Sequence, residues 1–467
     1  MKRHNSVHIA IKAKIALLYR RDFAEMLYSF FTNWIRSAGR DVSTSGLAGS
    51  NKNFGFTTLG EILMKKSLLA LAVLGAFAAG TAQAQTNVSI GGILQANVKN
   101  YKVSSTTRVA NNELRVDDDY NSRFWLTGTE DLGGGLSALF YVENRFNTDQ
   151  RQSTGSGLST NGATGAGLAD GDTFVGLKGG FGQVTFGKHS WMSVQGLTTE
   201  FMTGTNGFSA MPTSMTATYS IMNQTGLGNG GGVTAGQPQG GTLVGGFSYL
   251  DTTRRINSIT YRSPVIAGFS GVVGFSPNSA GPEGTINGTT NYDDGQEYYL
   301  QAGYNNGPLA LGLAYRNVEA EGRSGFDDQQ LRFTGSYKFA GVKVGLIVDR
   351  AKRELVANGA VQAGANTFHR TAWSIPVSYA FGNSTILANF TKAGDRSGVA
   401  DSGAKMYTIG YDYALSKRTN VGVFYSRLDN DTNGAYQPFL ANTSFTGSGL
   451  QNGETASTFA LGVKHTF

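Results

Sequence analysis

The sequence predicts an all-β fold: a 16-stranded antiparallel transmembrane β-barrel that follows an export signal. Three observations carry the prediction. Apolar and polar residues alternate with period two through about sixteen segments. Short Gly-rich joints alternate with longer polar inserts between those segments, the asymmetry expected of tight turns at one barrel end and long loops at the other. After the export signal no apolar run reaches 18 residues, so no later helix can span a bilayer.

"MKKSLLALAVLGAFAAGTAQAQ" begins at Met64. Lys65 and Lys66 form a charged n-region, Ser67 to Gly80 a small apolar core, and Ala82-Gln83-Ala84 an A-x-A site, so cleavage falls between Ala84 and Gln85. A buried Ala/Leu helix needs neither the lysines before that run nor the A-x-A after it. Residues 1–63 give no other role, and read as an upstream segment from a start set too early, or as an extended leader. The expected organisation is therefore 1–63 upstream, 64–84 signal and 85–467 barrel.

Charge follows the same division. Residues 1–84 hold 11 of the 39 Lys+Arg and 4 of the 32 Asp+Glu, leaving 28 of each sign after residue 84. The whole +7 belongs to the leader, and a neutral mature chain offers no general field for nucleic acid. The mature part has no Cys and only His189, His369 and His465, too scattered for a metal cluster; no cofactor is expected.

Strand candidates run 87–101, 120–131, 136–147, 172–179, 182–189, 254–264, 268–276, 295–305, 308–319, 328–340, 341–354, 367–381, 383–393, 403–415, 417–429 and 455–467. In "KMYTIGYDYAL", Tyr407, Ile409, Tyr411, Tyr413 and Leu415 share one face, with Met406, Thr408, Gly410, Asp412 and Ala414 opposite. "TAWSIPVSYAF" sets Trp373, Ile375, Val377, Tyr379 and Phe381 against Ser374, Pro376 and Ser378. A soluble sandwich also alternates. It does not call for aromatics concentrated near strand ends, nor for a second face of small residues and charges, which together fit lipid outside and water inside. Lipid satisfies no backbone group, so such a sheet must close. "DLGGGL", "GGFGQ", "NNGP", "KFAGVK" and "AFGNS" supply the short joints. The largest insert, 190–253, contains no Lys or Arg.

Five stretches then resemble a known family in order across the mature chain: "SRFWLTGTEDLGGGLSALFYVE", "FVGLKGGFGQVTFGK", "INSITYRSPVIAGFSG", "YALSKRTNVGVFYS" and the terminal "FALGVKHTF". They resemble the trimeric general porins of β-proteobacterial outer membranes, with "TEDLGGGL" and "LSKRT" the most specific. The resemblance implies a sixteen-stranded outer-membrane barrel, a homotrimer, and a third outer loop folded inward, the place of 190–253. It makes Phe467 the closing aromatic read by the barrel assembly machinery. Its pore constriction maps to Arg123, Glu143 and Arg254, to which Arg145 and the loop acid Glu200 add themselves, with Asp251 near the end of the insert. The chain departs from the pattern at Gly171-Asp172-Thr173-Phe174, where an arginine is common, and at Trp125 and Thr127. Arg316, Arg332, Lys338 and Lys343 read as a basic ladder along the wall.

The implied function is passive diffusion of ions and small hydrophilic solutes through a water-filled channel, in contact with outer-membrane lipid and lipopolysaccharide. Two unit charges ~8 Å apart in water interact by only about 0.5 kcal/mol, so selectivity should be weak; the arginines lean it towards anions. A substrate-specific channel for sugar or phosphate is the nearer alternative, and a structural or adhesive barrel the other. An enzyme would need a nucleophile beside a His, and no G-x-S-x-G or Ser/His pair appears in the sequence.

Overall fold

A computed structural model describes residues 86–104, 112–117, 122–146, 148, 169, 171–191, 221–224, 243–244, 247–248, 255–277, 296–319, 325–357, 360–361, 367–437 and 450–467. Its main sheet has 18 strands; two of them, 112–117 and 360–361, are short additions, and the other sixteen close a barrel. These are β1 (Thr86–Ser104), β2 (Ser122–Gly133), β3 (Leu136–Phe146), β4 (Thr173–Gly179), β5 (Gly182–His189), β6 (Arg255–Arg262), β7 (Phe269–Ser276) and β8 (Gln296–Asn306). The second half is β9 (Leu309–Glu319), β10 (Gly325–Phe339), β11 (Val342–Ala357), β12 (Phe368–Phe381), β13 (Ser384–Ala393), β14 (Ala404–Ala414), β15 (Thr419–Asn430) and β16 (Thr455–Thr466). Every neighbouring pair is antiparallel, and β1 joins β2 on one side and β16 on the other, so no staved edge is left to lipid.

The sixteen strands sit where the alternation places them. Their short joints all fall at one end, which also holds the start of β1 and the end of β16, and this is the periplasmic end. Gly133, Gly134 and Gly135 close the first joint with φ of 84°, 60° and 78°. Three consecutive left-handed residues exclude a side chain at modest cost only if all three are glycine.

Outward faces are apolar and uncovered. Leu313, Leu331, Phe333, Leu346, Ile375, Ile386, Ile409, Leu461 and Val463 are all exposed large hydrophobics, a surface that water would not tolerate and a bilayer requires. Towards the periplasmic end, Tyr337 lies near Phe339, Tyr379 near Phe381, and Phe269 near Tyr304, an aromatic girdle with ring centroids 6.3, 5.2 and 4.5 Å apart. At the other end Trp373 meets Phe390 at 5.3 Å.

Pro376 sits inside β12 on the lumenal face. The ladder to β11 runs through Val344↔Val377 and resumes only at Ile347↔Ser374, because proline has no N–H to donate. Gly345 opposite gives the ring room: a Cβ there would lie 2.9 Å from the proline Cγ.

Candidate functional site

Inward parity gathers the charges. On β8–β11, Arg316 donates to Glu297 at 2.8 Å and to Gln330 at 3.1 Å, Arg332 donates to Asp349 at 2.7 Å, and Arg353 forks onto Asp328 at 2.7 and 2.6 Å. Arg332↔Asp349 and Asp328↔Arg353 are direct cross-strand partners, the closest placement a sheet offers. The expected basic ladder is thus corrected for Arg316 and Arg332, which are members of ion pairs with acids from neighbouring strands. Lys338 and Lys343 do face each other across β10 and β11 near the periplasmic end.

The constriction candidates meet on β2 and β3. Arg123 and Arg145 are cross-strand partners, and Trp125 is opposite Glu143. Arg123 Nη1 lies 3.4 Å from Glu143 Oε1, with both side chains buried, and the Tyr141 hydroxyl donates to the other carboxylate oxygen at 3.2 Å. Glu143 therefore lies one rung below the Arg123–Arg145 pair, on the same face. Its backbone is clamped by the segment before β4: Glu143 N–H donates to Asp172 C=O at 2.9 Å, and Gly171 N–H to Glu143 C=O at 3.0 Å. A Cβ on Gly171 would fall 2.4 Å from Glu143 Oε1, so the glycine is what lets this carboxylate lie against the wall. Arg254, Glu200 and Asp251 lie outside the described residues, as do Ala84 and Gln85.

Three further charged groups belong to this neighbourhood. Asp172 accepts a hydrogen bond from Ser190 at 2.6 Å. Lys464, on the lumenal face of β16, is within electrostatic reach of Arg123 and Asp412. Asp412 accepts from Asn420 at 2.7 Å. Alternation places all three on the inner face, but their height along the barrel follows from strand register, which is not written in any single segment.

Aromatic rings line the same wall. Phe174 stacks on Tyr141 at 5.4 Å and on His189 at 4.9 Å. His189 bonds Thr185 and Ser258. Beyond β5 the chain turns inward: Trp191 is buried, stacks on Tyr299 at 5.6 Å, donates to Thr260 at 3.1 Å and fills the space above Gly274. Later in the same insert, a short turn at Ile221–Asn223 docks on the far side of the ring. Arg370 of β12 donates to the Ile221 and Met222 carbonyls at 2.8 and 2.5 Å, and Gln224 exchanges two bonds of 2.7 Å with the Gln437 backbone. Ile221 and Met222 complete an apolar cluster with Ile347, Met406, Leu428 and Tyr436. In the outer connection 394–403, burial pushes the Arg396 guanidinium below its ordinary range, with Arg370 nearby adding to the same shift.

Phe467 lies at the seam. Its N–H donates to Gly92 C=O at 3.1 Å, and its own C=O accepts from Gly92 N–H at 3.0 Å. The ring covers Gly92, where a Cβ would be 2.2 Å from it.

A closed barrel with an apolar exterior, a charged and hydroxylated interior and long loops at one end defines an outer-membrane channel for passive diffusion of ions and small hydrophilic solutes. The chain belongs to the Gram-negative porin family, whose model matches residues 70–433. Outer membrane porin protein 32 of Delftia acidovorans is 28% identical over 412 residues, covering 86% of this chain and 100% of its own. Major outer membrane protein P.IB of Neisseria gonorrhoeae is 26% identical over 380 residues, covering 76% and 91%. Among solved structures, the anion-selective porin from Comamonas acidovorans has the same fold, with a TM-score of 0.59 at 24% identity, covering 82% of this chain and 100% of that one.

Proposed function

We propose that the channel is a weakly anion-selective general diffusion porin, and that Arg123, Glu143 and Arg145 form its constriction together with Arg254 and the loop acid Glu200. The observation that carries this is the direct pairing of Arg123 with Arg145 across β2 and β3, two cations at one height, with Glu143 one rung below them and in contact with Arg123. The wall pairs of β8–β11 cancel locally, so their contribution to a permeating ion's field is small. The similar fold of a porin described as anion-selective agrees in sign. Stacking of Tyr141, Phe174 and His189 on one another uses the ring faces that a sugar would need, which disfavours a sugar-specific track.

The 190–253 insert is the inward-folded third outer loop in this reading, supported by the lumenal seat of Trp191 and by the docking of Ile221 and Met222 at Arg370. The mature chain starts at Gln85, assembles as a homotrimer, and presents Phe467 to the barrel assembly machinery. Planar-bilayer conductance of the purified oligomer under a salt gradient tests the function. Stepwise insertions closing in thirds, with a small reversal potential of anion sign, are expected. A cation-signed potential would remove the arginine reading, and block by one class of sugar would replace it with a specific channel. Intact mass of the outer-membrane form tests the start at Gln85.

A further inference from the structure

At the periplasmic end of the lumenal wall two lysines are set directly against each other. Lys338 and Lys343 flank the joint between β10 and β11 and are cross-strand partners. Parity turns both into the lumen, since Tyr337, Phe339, Val344 and Leu346 beside them show their side chains to the exterior. Ser378 of β12 continues their rung, and the next lumenal rung inward is Ala310, Ser336, Gly345 and Pro376. These positions bring hydroxyls, small side chains and a proline ring, and no carboxylate. Deeper on β8–β11 the arrangement is the opposite: Arg316, Arg332 and Arg353 each meet an acid of a neighbouring strand.

Like charges directly opposite in a sheet repel, and opposed Cβ atoms stand only about 5 Å apart. A register that holds two ammonium groups at that spacing is unfavourable until an anion lies between them. Cations gather elsewhere on the same rim: Lys178 of β4 and Arg262 of β6 flank Gln183 on one rung, beside the joints that follow β4 and β6. The lumenal acids of this end stand on other staves. Asp131 of β2 caps its own turn through the Gly133 N–H, and Asp412 of β14 accepts from Asn420.

We propose that Lys338 and Lys343 form a transit site for a small divalent oxyanion at the periplasmic mouth of the pore, with Ser336 and Ser378 supplying hydroxyl donors beside it. Such an ion places separate oxygens on the two ammonium groups, and its double charge gains from both, whereas a monoanion gains half as much. Lysine suits transit better than arginine. Its compact, strongly hydrated charge lacks the planar fork that holds an oxyanion in two parallel bonds, so the ion is attracted and then released. Both lysines lie at one end of the channel, so the site answers to one face of the membrane. This inference rests on the barrel being a diffusion channel and not on the eyelet role of Arg123 and Arg145.

Single-channel chloride currents of the purified mature oligomer in planar bilayers test it, with sodium sulfate replacing part of the sodium chloride on one face at constant ionic strength. The periplasmic face is identified with Asn306→Cys in the β8–β9 joint, which a membrane-impermeant thiol reagent labels from that face alone. Sulfate is expected to lower the chloride current from the periplasmic face at a half-effect concentration about threefold or more below that from the outer face. In Lys338→Gln with Lys343→Gln that concentration should rise by about fivefold or more and the difference between faces should vanish, with gel mobility before heating unchanged. If the double variant does not fold, Lys338→Ser alone carries the same expectation. Equal action of sulfate from the two faces of the wild type, or an unchanged half-effect concentration in the variant, overturns the proposal. So does nitrate acting as strongly as sulfate. Arg145→Gln keeps the two readings apart: it is expected to move the reversal potential and to retain the face-specific sulfate effect. A wild type of cation sign that still shows this effect removes the eyelet reading and supports the lysine site.

Discussion

Arg123 and Arg145 are held at one height by a single register, and like charges directly opposite in a sheet repel. Glu143, touching Arg123 and bonded by Tyr141, offsets that repulsion and fixes where the local field is positive. Reversing one member should therefore act on permeating ions more than on the fold. Arg145→Glu is expected to shift the anion-to-cation permeability ratio towards cations by about two- to fivefold, since a charge reversal some ~8 Å away alters an ion's energy by about 1 kcal/mol before screening. Reversal potentials at low and high salt check it, and the shift should shrink at high salt. The pairs on β8–β11 make a different prediction. Asp328→Ala takes the forked carboxylate away from the buried Arg353 and should lower stability by about 3 kcal/mol in urea unfolding from lipid vesicles, whereas Asp328→Leu combined with Arg353→Met should cost less than the single change. Resemblance with parity pointed to Arg123 and Glu143, parity alone added Arg145, and the register sets the three on neighbouring rungs of β2 and β3. Asp172, Asp412 and Lys464 were not legible, because parity gives a face and no height.

At the level of elements, the period-two pattern was enough to place all sixteen staves, since each must show one face to lipid and one to water along its full length. The strand at 112–117 escaped that reading: it is six residues long and pairs with the outer part of β1, above β2, so the outward Leu114 and Val116 beside Val98 are too short an alternation to mark a stave. The docking of the long insert was equally hidden. Its anchors, Arg370 and Gln437, are distant in sequence, and the carbonyls of Ile221 and Met222 that they hold carry no residue-specific signal. Arg370 makes two charge-assisted bonds to this turn, while the barrel ladder around it is independent of the side chain. Arg370→Ala should consequently loosen the insert and spare the barrel. Single-channel records are expected to show at least twofold more frequent substate transitions, with heat-modified gel mobility unchanged; quiet records would mean the apolar contacts of Ile221 and Met222 suffice alone.

For the whole molecule the decisive contact is the seam, because a barrel gains nothing from its strands until the first and last are joined. β1 and β16 meet through Ile93↔Thr466 to Ser104↔Thr455, and the reciprocal Gly92–Phe467 bonds extend the ladder to the chain end. These are the contacts of greatest sequence separation, so they carry the largest loop-closure cost and form late. Phe467 acts there twice. Its backbone satisfies Gly92 at the membrane edge, where each unmet group costs about 1–3 kcal/mol, and its ring covers the glycine that alone leaves space for it. Deleting Phe467 removes both contributions, whereas Gly92→Val displaces the ring and keeps the backbone bonds. The folded fraction after refolding into lipid vesicles, read from gel mobility without heating, should fall several-fold for the deletion and less for Gly92→Val. Because purified protein refolds without any assembly machinery, a loss in this measurement belongs to the seam itself. If the deletion folds as well as the wild type there and fails only in cells, the terminal aromatic serves recognition and the ladder above it closes the barrel unaided.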